Sequence, residues 1–472
     1  MAEAVAAFYA VESVVEGVAV GALAVSGSTV PLKATFRMVR CPQATRGTTT
    51  VVLKNRIYLV DRQQRQDGIS HPFLHVLSLP SDYGASRTRG NEPIEVDYQN
   101  VDLQRADSAR PLSSSVATTQ DATSASGRED VSSILSGEDR NAVVIDDRLY
   151  VLGGQTTPTT PVPLDTLLCI DTLRGSFDLL HASHSKCTEG IPPPRTNASC
   201  VSSSLPPAVA SVAVGEGPTL DSHGTIFLHG GYDSQGKALH DTWTFDLGTK
   251  AWHKFPSIQE LQLEGLQTTG RIAYVDGRLW YVNASVVMYL DLAEHDPTNS
   301  NIPNDPSILS TGRVGSGQWQ VVYPPLPDGA NKAAAAPNSL PSEVHHVLPI
   351  TTGAGRQYLA CLTSTKDMYT FQIPSTPKTL ASVKDSIRDS ATKVLPDSWK
   401  SGKHEWARVD IVEASMQDGV VDRPDESLSG FAAAVWDEQG DKIILWGENV
   451  TETQEEPEQH KREHGGWLVT FE

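Results

Sequence analysis

The chain has 472 residues, of which 36 are Gly, 30 are Pro and 39% are hydrophobic. This composition favours a globular fold of many short strands joined by turns. Asp and Glu outnumber Lys and Arg by 57 to 38, which gives a net charge of -19. Because an acidic surface repels phosphate backbones and anionic lipids, we expect neither nucleic acid nor a membrane among the partners.

The N-terminal 28 residues are apolar and rich in small side chains. They include Glu3, Glu12 and Glu16, and no Lys or Arg precedes Lys33. A signal peptide starts with basic residues, and no apolar stretch is long enough to span a membrane as a helix. Because the apolar residues recur at helical spacing, we predict a short helix over residues 1–28 and a cytoplasmic protein.

The five cysteines form no C-x-x-C pair, so the sequence predicts neither a zinc site nor a redox site. Cys187 and Cys200 would form a disulfide only in an oxidising compartment, and buried free thiols are the favoured interpretation. Glycosylation sequons occur at Asn197, Asn283 and Asn449, and they matter only if the chain is secreted.

An internal repeat is the main feature of the sequence. Residues 141–180 and 224–256 both contain an apolar strand, a Gly pair, a polar loop, Asp-Thr, a second strand, a turn and a third strand. The Gly pairs are Gly153–Gly154 and Gly230–Gly231, where the backbone needs conformations closed to residues with a Cβ. Trp243 and Trp252 are expected to fill the space between neighbouring sheets.

This pattern resembles the kelch repeat, a four-stranded propeller blade. Four weaker units keep the strand rhythm, at residues 48–79, 270–322, 344–409 and 431–471. The fold expected is therefore an all-β, six-bladed propeller over residues 29–472, with five or seven blades as alternatives. Either SCVSSSL or AVASVAV, within residues 196–224, supplies the first strand of the third blade.

The two ends of the chain are predicted to share one blade. The last unit lacks its outermost strand, and residues 31–40 form a strand-like segment before the first complete unit. Pairing these segments would close the ring and remove open sheet edges. Residues 81–138, rich in Ser, Thr, Asp and Arg, are expected to form a long, partly disordered insertion between blades. Residues 448–464 are expected to form a solvated charged loop.

Candidate site residues are those predicted to lie at the mouth of the central channel. Arg271, His345 and His346 begin first strands and are the candidate catalytic residues. Tyr232, Trp280 and Trp446 are predicted to end second strands and are the candidate substrate-binding residues. Together they would form a pocket of aromatic and cationic groups. The alternative is that the aromatic residues fill space between blades and that the two His side chains point to opposite faces.

Three common motifs of covalent or metal-dependent catalysis are missing. There is no G-x-S-x-G, Gly-rich phosphate loop or H-E-x-x-H. The Cys–Tyr and His set of copper radical oxidases cannot be assigned, and the E-x-x-x-D-x-x-x-H iron site of plant specifier proteins is absent. The sequence therefore predicts no metal and no cofactor.

Two functions from different classes fit these features. Kelch propellers usually bind other proteins, which favours an interaction scaffold. The opening AFYAVE…PLKATFRMV, however, resembles free-standing fungal kelch-like proteins, some of which are similar to hetero-Diels–Alder cyclases of secondary metabolism. This resemblance implies an enzyme that orients an apolar terpenoid- or polyketide-like substrate for a pericyclic reaction, and such a step needs no nucleophile.

Overall fold

The structure is a computed structural model. It describes residues 32–41, 49–64, 70–79, 94–106, 131, 134–135, 139–157, 160–184, 190–204, 224–258, 270–292, 319–322, 340–352, 355–364, 367–373, 406–412, 432–436, 440–451 and 461–471. The helix predicted over residues 1–28 and the cysteine Cys187 lie outside these ranges.

The described residues form six antiparallel blades, each with four strands. In chain order, the strands of the first half are β1 (Lys33–Arg40), β2 (Thr49–Leu53), β3 (Arg56–Gln64), β4 (Ser70–Ser78), β5 (Ile94–Glu95), β6 (Asp97–Asp102), β7 (Gln104–Arg105), β8 (Asn141–Ile145), β9 (Arg148–Leu152), β10 (Gln155–Thr157), β11 (Thr160–Pro161), β12 (Thr166–Asp171) and β13 (Ser176–His181). Blade 1 is β2-β3-β4-β6 and blade 2 is β8-β9-β12-β13, while β10 and β11 pair as a separate hairpin.

The remaining strands form blades 3 to 6. They are β14 (Ser199–Ser203), β15 (Thr225–His229), β16 (Thr242–Asp246), β17 (Ala251–Lys254), β18 (Arg271–Val275), β19 (Arg278–Val282), β20 (Val287–Asp291), β21 (Gln320–Val321), β22 (Val344–Thr351), β23 (Gln357–Thr363), β24 (Met368–Gln372), β25 (Trp406–Arg408), β26 (Asp410–Ile411), β27 (Ala432–Val435), β28 (Lys442–Thr451) and β29 (Lys461–Phe471). Blades 3, 4 and 5 take four consecutive strands each, and blade 6 is β27-β28-β29-β1.

The ring closes as the sequence predicts. β1 pairs antiparallel with β29, from Ala34 opposite Phe471 to Arg40 opposite Gly465. The first strand of each blade contacts the first strands of both neighbouring blades, in the circular order β2, β8, β14, β18, β22, β27 and back to β2. The first strands therefore surround the central axis.

The core is divided among the interfaces between blades. Six hydrophobic clusters of the described residues occupy the six interfaces, one for each pair of neighbouring blades. Trp243 and Trp252 are both buried in the cluster between blades 2 and 3, so the prediction that they fill space between sheets is confirmed. Burial of such large apolar side chains at every interface stabilises the ring as one unit.

At three places the structure either decides between alternatives that the sequence left open or corrects the sequence prediction. β14 lies at Ser199–Ser203 and pairs with β15, so SCVSSSL supplies the first strand of blade 3. The fourth strand of blade 1, β6, comes from residues 81–138, which were expected to be an insertion. Its side chains are largely exposed, so it lacks the apolar alternation that reveals a half-buried strand. β28 and β29 also extend into residues 448–464 and pair there.

Three short strands pair with the outermost strand of a neighbouring blade. β5 and β26 each pair parallel with β1, at Val39–Arg40 and at Lys33–Ala34 respectively. β7 pairs parallel with β13 on the outer edge of blade 2. Because an outer edge presents unpaired backbone groups, these additions cover part of the edges of blades 2 and 6.

Candidate functional site

Arg271 begins the first strand of blade 4 and is fixed by the chain that leads into blade 3. Its Nη1 donates to the backbone oxygen of Asn197 at 3.0 Å, and its Nη2 donates to Asn197 Oδ1 at 2.7 Å. Asn197 has a φ of 50°, a left-handed conformation that Asn tolerates better than most residues. Both the backbone and the side chain of Asn197 therefore hold the guanidinium in place.

The segment that carries Asn197 is itself held by a buried ion pair. Arg195 is 1% exposed. It donates to both carboxylate oxygens of Asp241, at 2.7 and 3.0 Å, and to the backbone oxygens of Gly230 and Pro193. Asp241 also accepts a hydrogen bond from Trp243 Nε1 at 2.7 Å. A bidentate ion pair of this kind holds the two side chains in a defined orientation and also stabilises the structure.

Tyr232 lies beside this segment because of the Gly pair that precedes it. Its backbone N–H donates to Thr196 O at 2.9 Å, and Thr196 N–H donates to Tyr232 O at 3.0 Å. A Cβ on Gly231, which has a φ of 89°, would lie 2.5 Å from Thr196 O. Only Gly permits this approach, and the approach brings Tyr232 within electrostatic range of Arg271.

His345 and His346 lie on a β-bulge in the first strand of blade 5. The register shifts between Val344, opposite Thr363, and His346, opposite Leu362. Leu362 belongs to the core between blades 5 and 6, so His346 shares that face, since cross-strand partners lie on the same side of a sheet. His345 instead interacts electrostatically with Arg271 of blade 4. The bulge therefore places His346 on the face toward blade 6, while His345 interacts with Arg271.

We call Arg271, Tyr232, His345, Asn197, Glu343 and Asp139 the mouth cluster, since it lies where first strands begin at one end of the axis. Burial lowers the pKa of Arg271, and the negative charges of Glu343 and Asp139, together with Tyr232, oppose that effect. Burial also lowers the pKa of His345; Glu343 opposes this and Arg271 adds to it. His345 is therefore neutral at neutral pH.

Trp280 and Trp446 do not belong to the mouth cluster. Trp280 is the middle residue of β19 and is 0% exposed, packed against Tyr289 and Phe371 between blades 4 and 5. Trp446 lies inside β28, which continues to Thr451, and is buried between blades 6 and 1. Both were expected at strand ends. The structure places them within strands, where side chains fill the interface.

The sequence did not single out Asp139 or Glu343, and it marked Asn197 only as a sequon. All three lie in connections before first strands, where no periodicity shows which side chains converge. Among the described residues, no group of three or more His, Cys, Asp or Glu side chains is placed to hold a metal ion. Within the same residues, no helix is long and apolar enough to cross a membrane.

The mouth cluster offers hydrogen-bond donors and one neutral imidazole. A guanidinium has five N–H donors, and Asn197 accepts from two of the nitrogens of Arg271. The remaining N–H groups are suited to an oxygen that carries or develops negative charge. His345, when neutral, both donates and accepts a hydrogen bond.

Comparison with known proteins gives one sequence match. A family model described as the kelch motif matches residues 222–259, which contain the second, third and fourth strands of blade 3. No curated protein matches the chain.

Two of the solved structures that match this chain serve as examples, both at low identity. One, described as the structure of YjhT, has a TM-score of 0.37 and 10% identity, and the match covers 92% of this chain and 99% of that chain. The other, a cryo-EM structure of RAG in complex with one melted RSS and one unmelted RSS, has a TM-score of 0.44 and 8% identity, covering 93% and 100%. The sequence match and the six blades agree: the chain is a six-bladed β-propeller with a kelch motif in its third blade.

Proposed function

We propose that the mouth cluster binds a small organic molecule through a carbonyl or similar oxygen and orients it for a cyclisation of the hetero-Diels–Alder kind. One observation carries the proposal. Tyr232, Arg271 and His345 come from three consecutive blades, and Tyr232 and His345 each interact electrostatically with the Arg271 guanidinium, which Asn197 fixes by two hydrogen bonds.

The physical argument rests on orientation and on polarisation. Holding two reacting groups in a productive geometry lowers a barrier by roughly 7–11 kcal/mol in favourable cases. A fixed donor such as Arg271 withdraws electron density from a carbonyl oxygen and stabilises charge that develops there. Because Trp280 and Trp446 are buried between blades, they cannot supply a stacking surface, so the proposal depends on the polar residues.

The rate of cycloadduct formation tests the proposal. Purified protein is incubated with a polyene and a quinone methide precursor, and cycloadduct formation is followed by chiral chromatography. We expect Arg271→Gln to lower the rate by about tenfold or more, since one hydrogen bond to a charged donor is lost. Arg174→Gln is the matched control, because Arg174 is exposed in a turn of blade 2. Equal rates for both variants would contradict the proposal.

A protein-interaction scaffold is the second candidate. The observation that favours it is the mixed charge of the mouth cluster, where the acids Glu343 and Asp139 lie near Arg271, as is common at the polar rim of protein interfaces. If no small molecule shifts the melting temperature but a co-purified protein is released by Arg271→Glu, the scaffold is supported. Retention of that protein by the variant would count against this site.

A further inference from the structure

A second buried arginine lies between blades 1 and 2. Arg140 precedes β8 and is 7% exposed. Its Nε, Nη1 and Nη2 atoms are all buried, and none has a hydrogen-bond partner among the described residues. Burial lowers the pKa of Arg140 to about 10, so the guanidinium stays positively charged at neutral pH.

Asp61 is the acid whose charge acts on Arg140, but the two side chains form no hydrogen bond. Asp61, at the adjoining part of β3, interacts with Arg140 through its charge. Its Oδ1 accepts a hydrogen bond from the backbone N–H of Arg62 at 2.6 Å, and its Oδ2 lies 3.8 Å from His75 Nε2. Within the described ranges the N–H groups of Arg140 have no acceptor, an arrangement that costs free energy in a protein interior.

Arg195 shows how this fold satisfies a buried arginine whose role is structural. Its Nε, Nη1 and Nη2 each donate to an acceptor, two of them to the carboxylate of Asp241. Arg140 is almost as deeply buried but has no such set among the described residues. The contrast distinguishes Arg140 from a buried arginine whose role is purely structural.

The local charge restricts which kind of molecule fits Arg140. Arg140 and Arg62 are cationic and Asp61 is anionic, which leaves a single positive charge to be matched. A dianion such as phosphate would be repelled by Asp61, whereas a carboxylate has one charge and the planar, two-oxygen geometry that a guanidinium binds best. We propose that Arg140 binds the carboxylate of a small organic acid at a site between blades 1 and 2. This site is separate from the mouth cluster.

Thermal unfolding with simple carboxylates tests this site. The full chain is titrated with sodium acetate or benzoate at constant ionic strength, with sodium chloride and sodium phosphate as comparisons. We expect the melting temperature to rise and saturate with the carboxylates, as binding to the folded state alone requires, and to rise less with chloride and phosphate. The response should disappear in Arg140→Gln and persist in Arg174→Gln.

Two further variants keep the test independent of the folding of Arg140→Gln. Asp61→Asn removes the negative charge beside Arg140, so the acetate concentration for half-saturation should fall several-fold. Arg271→Gln should leave the response intact. A response that is the same for chloride and acetate, that survives Arg140→Gln, or that depends on Arg271 would overturn the proposal. Those results would leave the test of the mouth cluster untouched.

Discussion

Arg271 and Asn197 join blades 3 and 4 at the end of the axis where first strands begin. One hydrogen bond reaches the backbone oxygen of Asn197 and the other reaches its side chain. Next to them, the backbone N–H of Ile272 donates to Ser199 Oγ at 2.9 Å. The position of Arg271 therefore depends on blade 3 as well as on its own blade 4.

A double-mutant cycle measures this link. Asn197→Gly keeps the left-handed backbone accessible and removes the side-chain acceptor, and Arg271→Gln removes the charged donor. We expect a coupling of about 1–2 kcal/mol in the free energy of unfolding, measured by urea titration. The same cycle with Arg174→Gln should give a coupling near zero. Additive effects of Asn197→Gly and Arg271→Gln would show that the bond between Arg271 and the Asn197 side chain contributes nothing to stability.

The Gly pair of blade 3 gives a steric prediction. Gly231→Ala should lower stability well beyond the ~1–2 kcal/mol of a left-handed backbone alone, because its Cβ would meet Thr196 O at 2.5 Å and Ala198 N at 3.0 Å. Gly236→Ala is the matched control, since Gly236 also has a positive φ but no atom lies within 4 Å of its Cβ. Urea unfolding of both variants decides the point, and equal losses would contradict the close approach.

One of the three sequon residues, Asn283, lies in the protein interior. Asn283 is 2% exposed, its Oδ1 accepts from the backbone N–H groups of Ser285 and Val286, and its Nδ2 donates to Tyr281 Oη. We expect Asn283→Ala to cost about 3 kcal/mol, because buried groups lose their partners. In folded protein secreted from a glycosylating host, peptide mapping should find Asn283 unmodified. A glycan there in native protein would refute the placement.

The sequence predicts the blades better than the site. Gly153–Gly154, Gly230–Gly231 and the Asp-Thr spacing are local signals that a strand, a turn and another strand follow in order. Which face of the blade a residue near a strand end occupies depends on register, and a shift of one residue reverses it. Trp280 and Trp446 were misplaced for this reason. The bulge at His345 has no local sequence signal.

The pH dependence of stability should report on His229. This residue is 0% exposed and its Nδ1 pairs with Thr242 Oγ1 at 2.8 Å. Burial lowers its pKa to about 3, whereas an unfolded His titrates near 6.5. As the pH falls below about 6.5, the unfolded chain takes up a proton that the folded chain refuses, so stability falls by about 1.4 kcal/mol per pH unit.

The test compares wild type with His229→Gln in urea at pH 7 and pH 5. Wild type should lose about 2 kcal/mol more than the variant over this interval. His240 and His345, whose pKa values burial also lowers, act in the same direction and remain in both proteins. Parallel losses in the two proteins would mean that His229 is accessible to protons in the folded state.

The pairing of Ala34 with Phe471 has a consequence for how the protein is made. On the ribosome, β1 is synthesised first among the described strands and its partner β29 last. At about 5–20 residues per second, that interval lasts on the order of a minute. Throughout it, β1 presents an unpaired strand edge of the kind that invites aggregation. Synthesis of β29, which completes blade 6, is therefore the step at which the ring becomes a protected unit.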